Sequence, residues 1–325
     1  MGAPAPHFIF ARLARMTTST RRQFVAGSSA ALVAAWVLPA FAASAGPTVT
    51  FPSAPRDRVA VACYPFREFI VGPEHKTGNP AIEFKDFAAH VVERFNVRRI
   101  EPWSALFPST DAAYLASFRA AVEKAGSGIA NIAADGHHSA YAADPAERAQ
   151  AVAFGKRWIE VAAGIGSPSI RTNVAQAKDA KPDVARLAES LKQVAEYGAS
   201  QNVVVHLEND NALSEDPFFL VSVIEKVGSP WLHVLPDFGN TVQEHDAVYA
   251  YRGIEAMFAH AYGICHVKDG EGTPPGHVSH VDLPRTFAIL KKHGYKGYCS
   301  VEYDTAGGEP YGPTAKLVEA TVGYL

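Results

Sequence analysis

The chain has 325 residues, 48% of them hydrophobic, with 30 basic against 33 acidic side chains and a formal net charge of −3. That is ample material for a packed core, and the slight acidic excess argues against a nucleic-acid groove. The three cysteines, Cys63, Cys265 and Cys299, are too few for a disulfide scaffold and lack the spacing of a thiolate metal site.

Residues 1–45 read as a targeting segment. Thr20-Arg21-Arg22-Gln23-Phe24-Val25 is a twin-arginine pattern, the weakly apolar run AALVAAWVLPAFA follows, and Ala43-Ser44-Ala45 offers a small-residue cleavage site. Ser28, Ser29 and Pro39 weaken the run as a membrane span. Export through the twin-arginine machinery to the periplasm is therefore expected, with no stable membrane insertion after cleavage. Met16 makes a more compact start than Met1, since MTTSTRRQF gives a short basic n-region. Residues 1–45 hold four arginines and no acid, so the remainder carries 26 basic against 33 acidic residues.

From residue 46 onward a single domain is expected, built of alternating strand and helix patterns. VAVACYPF (59–66) reads as a buried strand, and Phe84, Phe87, Val91 and Phe95 share one helical face. NVRRIEPW (96–103) is strand-like, and Leu115, Phe118 and Val122 mark a helix closed by Lys124 and Gly126. GIANIAAD (128–135) precedes a long helix over 144–163, and SIRTN (169–173) is the fourth strand. A helix opened by Pro182 and Asp183 carries the one-sided stripe Val184, Leu187, Leu191 and Val194. Strands at 203–208, 232–236, 262–267 and 297–302 then alternate with helices over 216–227, 246–261, 283–292 and 312–323, with Asp282 as an N-cap and Gly294 as a stop.

Eight strand-helix units in this length predict an α/β fold, a closed (β/α)8 TIM barrel. No Gly-rich phosphate fingerprint follows the first strand, against a dinucleotide-binding sheet. No helix stripe is apolar enough to single out an oligomer interface, so a homo-oligomer stays open.

Four of the predicted strands end on a metal-ligand type: Glu208, Asp237, His266 and Glu302. The barrel places all four at the mouth where such folds do chemistry. Three carboxylates and one imidazole are a hard, mostly oxygen set for one divalent ion, favouring Mn²⁺ or Mg²⁺ over Zn²⁺ or Co²⁺. Strand alternation points Cys265 and Cys299 away from that face as packing residues, with a bridge between them the minor alternative. His206 shares the parity of Glu208 one layer deeper, as a supporting or core histidine.

Glu208-Asn209, Asp237-Phe-Gly-Asn240, His266-Val-Lys268-Asp269, His280-Val-Asp-Leu-Pro and Ser300-Val-Glu302, with the opening pieces Tyr64-Pro-Phe-Arg67 and Ile100-Glu101, resemble the xylose isomerase-like TIM-barrel superfamily. The similar branch is that of ketose 3-epimerases, inosose dehydratases and related sugar isomerases. The resemblance implies double duty for Glu208 and Glu302, as metal ligands and as bases on opposite faces of a bound sugar. The position three after the ligand Asp, usually His in the endonuclease branch, is Asn240 here, which argues against a three-zinc DNA repair site.

An exported metal-dependent sugar isomerase or epimerase working through an enediolate is thus expected, on a small sugar, keto-sugar or polyol. The alternative is a lyase or hydrolase that dehydrates or cleaves a keto-glycoside by elimination from the same intermediate. A third is a catalytically silent sugar-binding protein. Lys268, His137 or His138, Arg171, Glu101 and Trp103 are the candidate substrate contacts, and Asn240 is a candidate support for the ligands.

Overall fold

A computed structural model describes residues 46–211, 213–273, 277–304 and 309–325 of the chain. The expected targeting segment, 1–45, lies outside the described residues. No helix among the described residues is long and apolar enough to cross a membrane.

The barrel strands are β1 (Val59–Ala62), β2 (Arg99–Glu101), a split third strand made of β3 (Gly128–Ile129) and β4 (Ile132–Ala134), β5 (Ser169–Thr172), β6 (Val204–Glu208) and β7 (Leu232–Leu235). They are followed by β8 (Ile264–Val267) and, after a hairpin of β9 (Gly270–Thr273) and β10 (His277–His280), by β11 (Tyr298–Val301). The parallel ladders run β3-β2-β1-β11-β8 and β4-β5-β6-β7. Isolated parallel bridges join the two runs, Trp103 with Ala133 on one side and Val234 with Ala261 and Asp237 with His266 on the other. The result is a closed ring of eight strand positions, the expected (β/α)8 barrel.

Alternation along each strand sorts the side chains into two cores. Val59, Val61, Ile100, Ile132, Ile170, Val205, Leu207, Val234, Val267 and Val301 face outward and pack with helix residues such as Phe87, Phe118, Leu191 and Ile254 in one large apolar cluster. Their inward neighbours Ala60, Ala130, Leu235, Ile264 and Tyr298 form a separate small cluster with Phe51, the apolar floor of the barrel. Cys265 and Cys299 are register partners on β8 and β11, face the outer core and are free thiols with Sγ atoms 3.7 Å apart. Gly297, just before β11, lets that strand close onto β8, since a Cβ there would stand 2.6 Å from the carbonyl oxygens of Tyr262 and Gly263.

The helices are α1 (Phe87–Phe95), α2 (Ala112–Lys124), α3 (Pro145–Ile165), α4 (Val184–Gln201), α5 (Pro217–Val227), α6 (Asn240–Glu244), α7 (Ala247–Phe258), α8 (Leu283–Lys292) and α9 (Tyr311–Tyr324). Asp111, Asp144, Asp183, Asp216, Asp246 and Asp282 are N-caps whose carboxylates accept backbone N–H groups of the first turn. Each such cap is worth about 0.5–2 kcal/mol. In this topology the capped helix starts surround the mouth, so the residues that fix the helices also frame the site.

Three features depart from the expected alternation. The third strand breaks at Ala130 and Asn131, because β3 pairs with β2 while β4 pairs with β5. The β9-β10 hairpin and the short α6 were not expected; both lie in βα connections, where apolar periodicity is absent.

Candidate metal centre

Inward-facing positions toward the C-terminal ends of the strands carry polar residues in place of the apolar floor. Glu208 closes β6, Asp237 follows β7, His266 lies within β8 and Glu302 follows β11. One ligand atom from each lies within 4.8 Å of every other, and all four side chains are buried. His266 Nδ1 stands 2.7 Å from Glu208 Oε1, 3.3 Å from Glu302 Oε2 and 3.6 Å from Asp237 Oδ2.

These residues fit a divalent ion. Oxygen and nitrogen ligands about 2.1 Å from one ion stand about 3.0 Å apart when adjacent and about 4.2 Å when opposite, close to the spread of this set. Asp237 Oδ2 is fully buried and makes no hydrogen bond, with the Lys268 ammonium 3.4 Å away as its nearest cation, which leaves it able to accept a closer one. Its other oxygen, Oδ1, accepts the N–H groups of Gly239 and Asn240 at 2.7 and 2.9 Å, which aims Oδ2 at the cluster. Asn209 fixes the same turn, accepting the Asp237 N–H at 2.8 Å and donating to the Asp237 carbonyl at 3.1 Å.

The cluster's electrostatics show what the cation offsets. Burial alone would push His266 down, but Glu101, Glu208, Glu302 and Asp237 outweigh it and hold the imidazole well above its usual pKa. Burial would likewise raise Glu302, yet His266, Lys268 and Arg171 bring its carboxyl below the usual range. Both groups are therefore charged at neutral pH in the metal-free protein.

Above the ligands lies a cavity of about 400 Å³, lined among others by Tyr64, Trp103, Asp135, Arg171, Glu208, Asp210, Asn240, Lys268, Glu302 and Asp304. Lys268 is buried in its wall, with Nζ 3.4 Å from Asp237 Oδ2, 3.4 Å from Glu302 Oε2 and 3.0 Å from Asn240 Oδ1. Arg171 is also buried; its Nε stands 2.7 Å from Glu208 Oε2, out of line for a hydrogen bond, and its guanidinium pairs with Asp135 and, at 3.5 Å, with Asp210. Trp103 Nε1 donates to Asp135 at 2.6 Å, and its ring meets Tyr64 edge-on at 5.2 Å.

Several expected roles change. Trp103 lines the cavity, but Glu101 does not; it is 1% exposed beneath the cluster, with Oε2 3.0 Å from His266 Nε2. His137 is exposed and outside the cavity lining, and His138 pairs with Glu147 at 3.0 Å, so neither sits at the ligand cluster. Arg171 reaches the cavity but is engaged by three carboxylates. His206 is a core histidine rather than a support for the ligands: its Nε2 accepts the Gly263 N–H at 3.3 Å, and burial lowers its pKa to about 3. Asn240 supports the site through its backbone bond to Asp237 and a 2.8 Å bond from Nδ2 to the Asn209 carbonyl.

Asp135, Asp210 and Asp304 were not anticipated. A signal was present: Asp210, Lys268 and Asp304 each lie two residues beyond a ligand, the parity that puts them in the next tier on the same face.

Fold and site together define a class, parallel β/α barrels with a carboxylate and imidazole cluster at the C-terminal mouth. The chain belongs to the xylose isomerase-like TIM barrel family, whose profile matches residues 89–325. No curated protein matches the sequence. Among solved structures, a xylose isomerase-like TIM barrel protein from Mycobacterium smegmatis in complex with magnesium shares 18% identity, with a TM-score of 0.63 over 85% of this chain and 96% of that one. D-allulose 3-epimerase from Methylomonas sp. shares 15%, with a TM-score of 0.65 over 85% and 100%. The 3-keto-D-glucoside 4-epimerase of E. coli shares 13%, with a TM-score of 0.60 over 81% and 98%.

Proposed function

We propose that this protein is a metal-dependent isomerase of a small uncharged sugar, keto-sugar or polyol, moving a proton at the carbon beside a carbonyl. The observation that carries the reading is the split within the cluster: Glu208 and Glu302 line the cavity, whereas Asp237 and His266 lie beneath it. Two ligands reach the substrate and two do not. A divalent ion, with Mn²⁺ or Mg²⁺ suited to the three carboxylates and one imidazole, supplies Lewis-acid polarisation of a carbonyl and its neighbouring hydroxyl.

The chain's own residues do the rest. One of the two glutamates takes the proton and the other returns it from the opposite face, which inverts the carbon. The glutamate that takes the proton starts ionised and the one that returns it starts protonated, so each turnover exchanges their states; against the pull of burial, His266 and Lys268 favour the charged form of Glu302. Trp103 and Tyr64 offer an aromatic wall for a sugar's apolar face, and Asp135, Asp210, Asn240 and Asp304 offer acceptors for its hydroxyls. Both cations already engage carboxylates, which supports a neutral substrate over a sugar phosphate.

The deciding experiment incubates metal-loaded enzyme with a keto-sugar panel in D₂O. Deuterium is expected at the carbon next to the carbonyl, together with an epimer or aldose; a panel with no exchange at all sinks the reading. Elimination is the second reading, favoured by Asp210 and Asp304, which stand in the cavity wall two residues beyond Glu208 and Glu302, where a carboxyl can meet a leaving group. Release of a free monosaccharide from a keto-disaccharide separates it from pure epimerisation.

We propose also that residues 1–45 direct export by the twin-arginine route. Replacing Arg21 and Arg22 together by Lys is expected to leave the protein in the cytoplasm, and normal export of that variant overturns the proposal.

A further inference from the structure

We infer that Glu101 is a positioning residue that selects the tautomer of His266 and strengthens it as a metal ligand, and that Asn131 and Ser169 hold Glu101 in place for this. The inference rests on the reading of Glu208, Asp237, His266 and Glu302 as a divalent-metal site.

Glu101 is otherwise unaccounted for. It ends β2 with 1% of its surface exposed, it is outside the four-residue cluster, and it does not line the cavity. A buried carboxylate is costly unless it is paired and hydrogen-bonded. Both of its oxygens are in fact used: Oε2 lies 3.0 Å from His266 Nε2, and Oε1 accepts Asn131 Nδ2 at 2.8 Å.

An ionised carboxylate is acceptor-only, so the proton facing it must sit on Nε2. Nδ1 faces Glu208, Asp237 and Glu302. With a cation held among them, the proton these carboxylates attract to Nδ1 in the metal-free ring would give way, and the neutral imidazole would turn its lone pair to the ion while Nε2 keeps its proton. A carboxylate behind a ligating histidine fixes ring orientation and raises ligand basicity. Glu101 supplies it from the opposite edge of the ring.

The support continues through the wall. Asn131 is fully buried in the break of the third strand, between the part that pairs with β2 and the part that pairs with β5. Its Oδ1 accepts the hydroxyl of Ser169, on β5, at 2.7 Å. A hydrogen-bonded chain therefore crosses the barrel interior from β5 through the break to β2 and on to His266. It also gives the irregular third strand a task, because the break is where Asn131 stands.

The test is a Mn²⁺ titration of the metal-free full chain by calorimetry, with the metal-free unfolding temperature measured alongside. Glu101→Gln keeps the shape and an acceptor oxygen but loses the charge, and is expected to weaken Mn²⁺ binding about 10–100-fold. Asn131→Ala keeps the charge but frees Glu101, with a smaller loss in the same direction expected. A folded Glu101→Gln protein that binds Mn²⁺ as tightly as the wild type overturns the inference. Should that variant not fold, unchanged affinity in Asn131→Ala overturns it. A lower metal-free unfolding temperature with unchanged Mn²⁺ affinity would show a packing role only, which also overturns it. Failure of the isomerase reading is seen separately, as tight wild-type Mn²⁺ binding without deuterium exchange into any sugar.

Discussion

Glu302→Gln and Glu208→Gln are each expected to lower turnover by about three orders of magnitude or more while leaving the barrel folded. Loss of a general base alone costs about 10²–10⁴-fold, and a thousandfold is about 4 kcal/mol of barrier. Each change also removes one of the three ligand charges, so metal affinity falls as well. The two losses are separable: saturating metal restores occupancy but not the base. Glutamine is nearly isosteric, and in each case the change relieves charge repulsion in a cluster that holds three carboxylates.

The two variants are not equivalent. If one glutamate serves each face of the carbon, Glu302→Gln retains slow solvent exchange with one epimer, and Glu208→Gln retains it with the other. Rates are read under saturating Mn²⁺, and circular dichroism checks the fold. Wild-type turnover in either variant would remove that glutamate from the chemistry. Equal loss of exchange on both epimers in both variants would argue against the division of faces.

The barrel was legible because a buried parallel strand writes itself as a short β-branched run. VVVHLE and VAVA are such runs, and each is followed by a helix with its own apolar stripe. The ligand cluster was legible for a related reason. A polar residue that ends an apolar strand has one direction to face, and four of them at one strand position converge when the sheet closes. What stayed hidden was depth along the inward face. Glu101 and Trp103 share parity and stand two residues apart, yet one lies under the cluster and the other walls the cavity. The register of β2 against β1 and the stagger of the barrel set that difference, and no local pattern encodes them. Arg171 was hidden by its partners, since Asp135, Glu208 and Asp210 come from neighbouring strands and loops.

Arg171 accordingly carries the second large expectation: Arg171→Met destabilises the metal-free protein by about 3–5 kcal/mol, as removing one partner of a buried ion pair does. Of its three carboxylates, Asp135 and Asp210 keep about 30% of their side-chain surface exposed, so water screens them and they contribute the smaller share. Glu208 is the costly one, at 2% exposure and 2.7 Å from Arg171 Nε. A divalent ion offers Glu208 a stronger counter-charge than His266, which faces it at 2.7 Å, so the loss should shrink when Mn²⁺ is bound. Urea unfolding with and without Mn²⁺ measures both states. The double variant Arg171→Met with Glu208→Gln should regain part of the metal-free stability, because it removes the stranded charge. A metal-free Arg171→Met protein as stable as the wild type would show that Glu208 does not depend on the guanidinium. The arginine would then be free to act on substrate, as its place in the sequence first suggested.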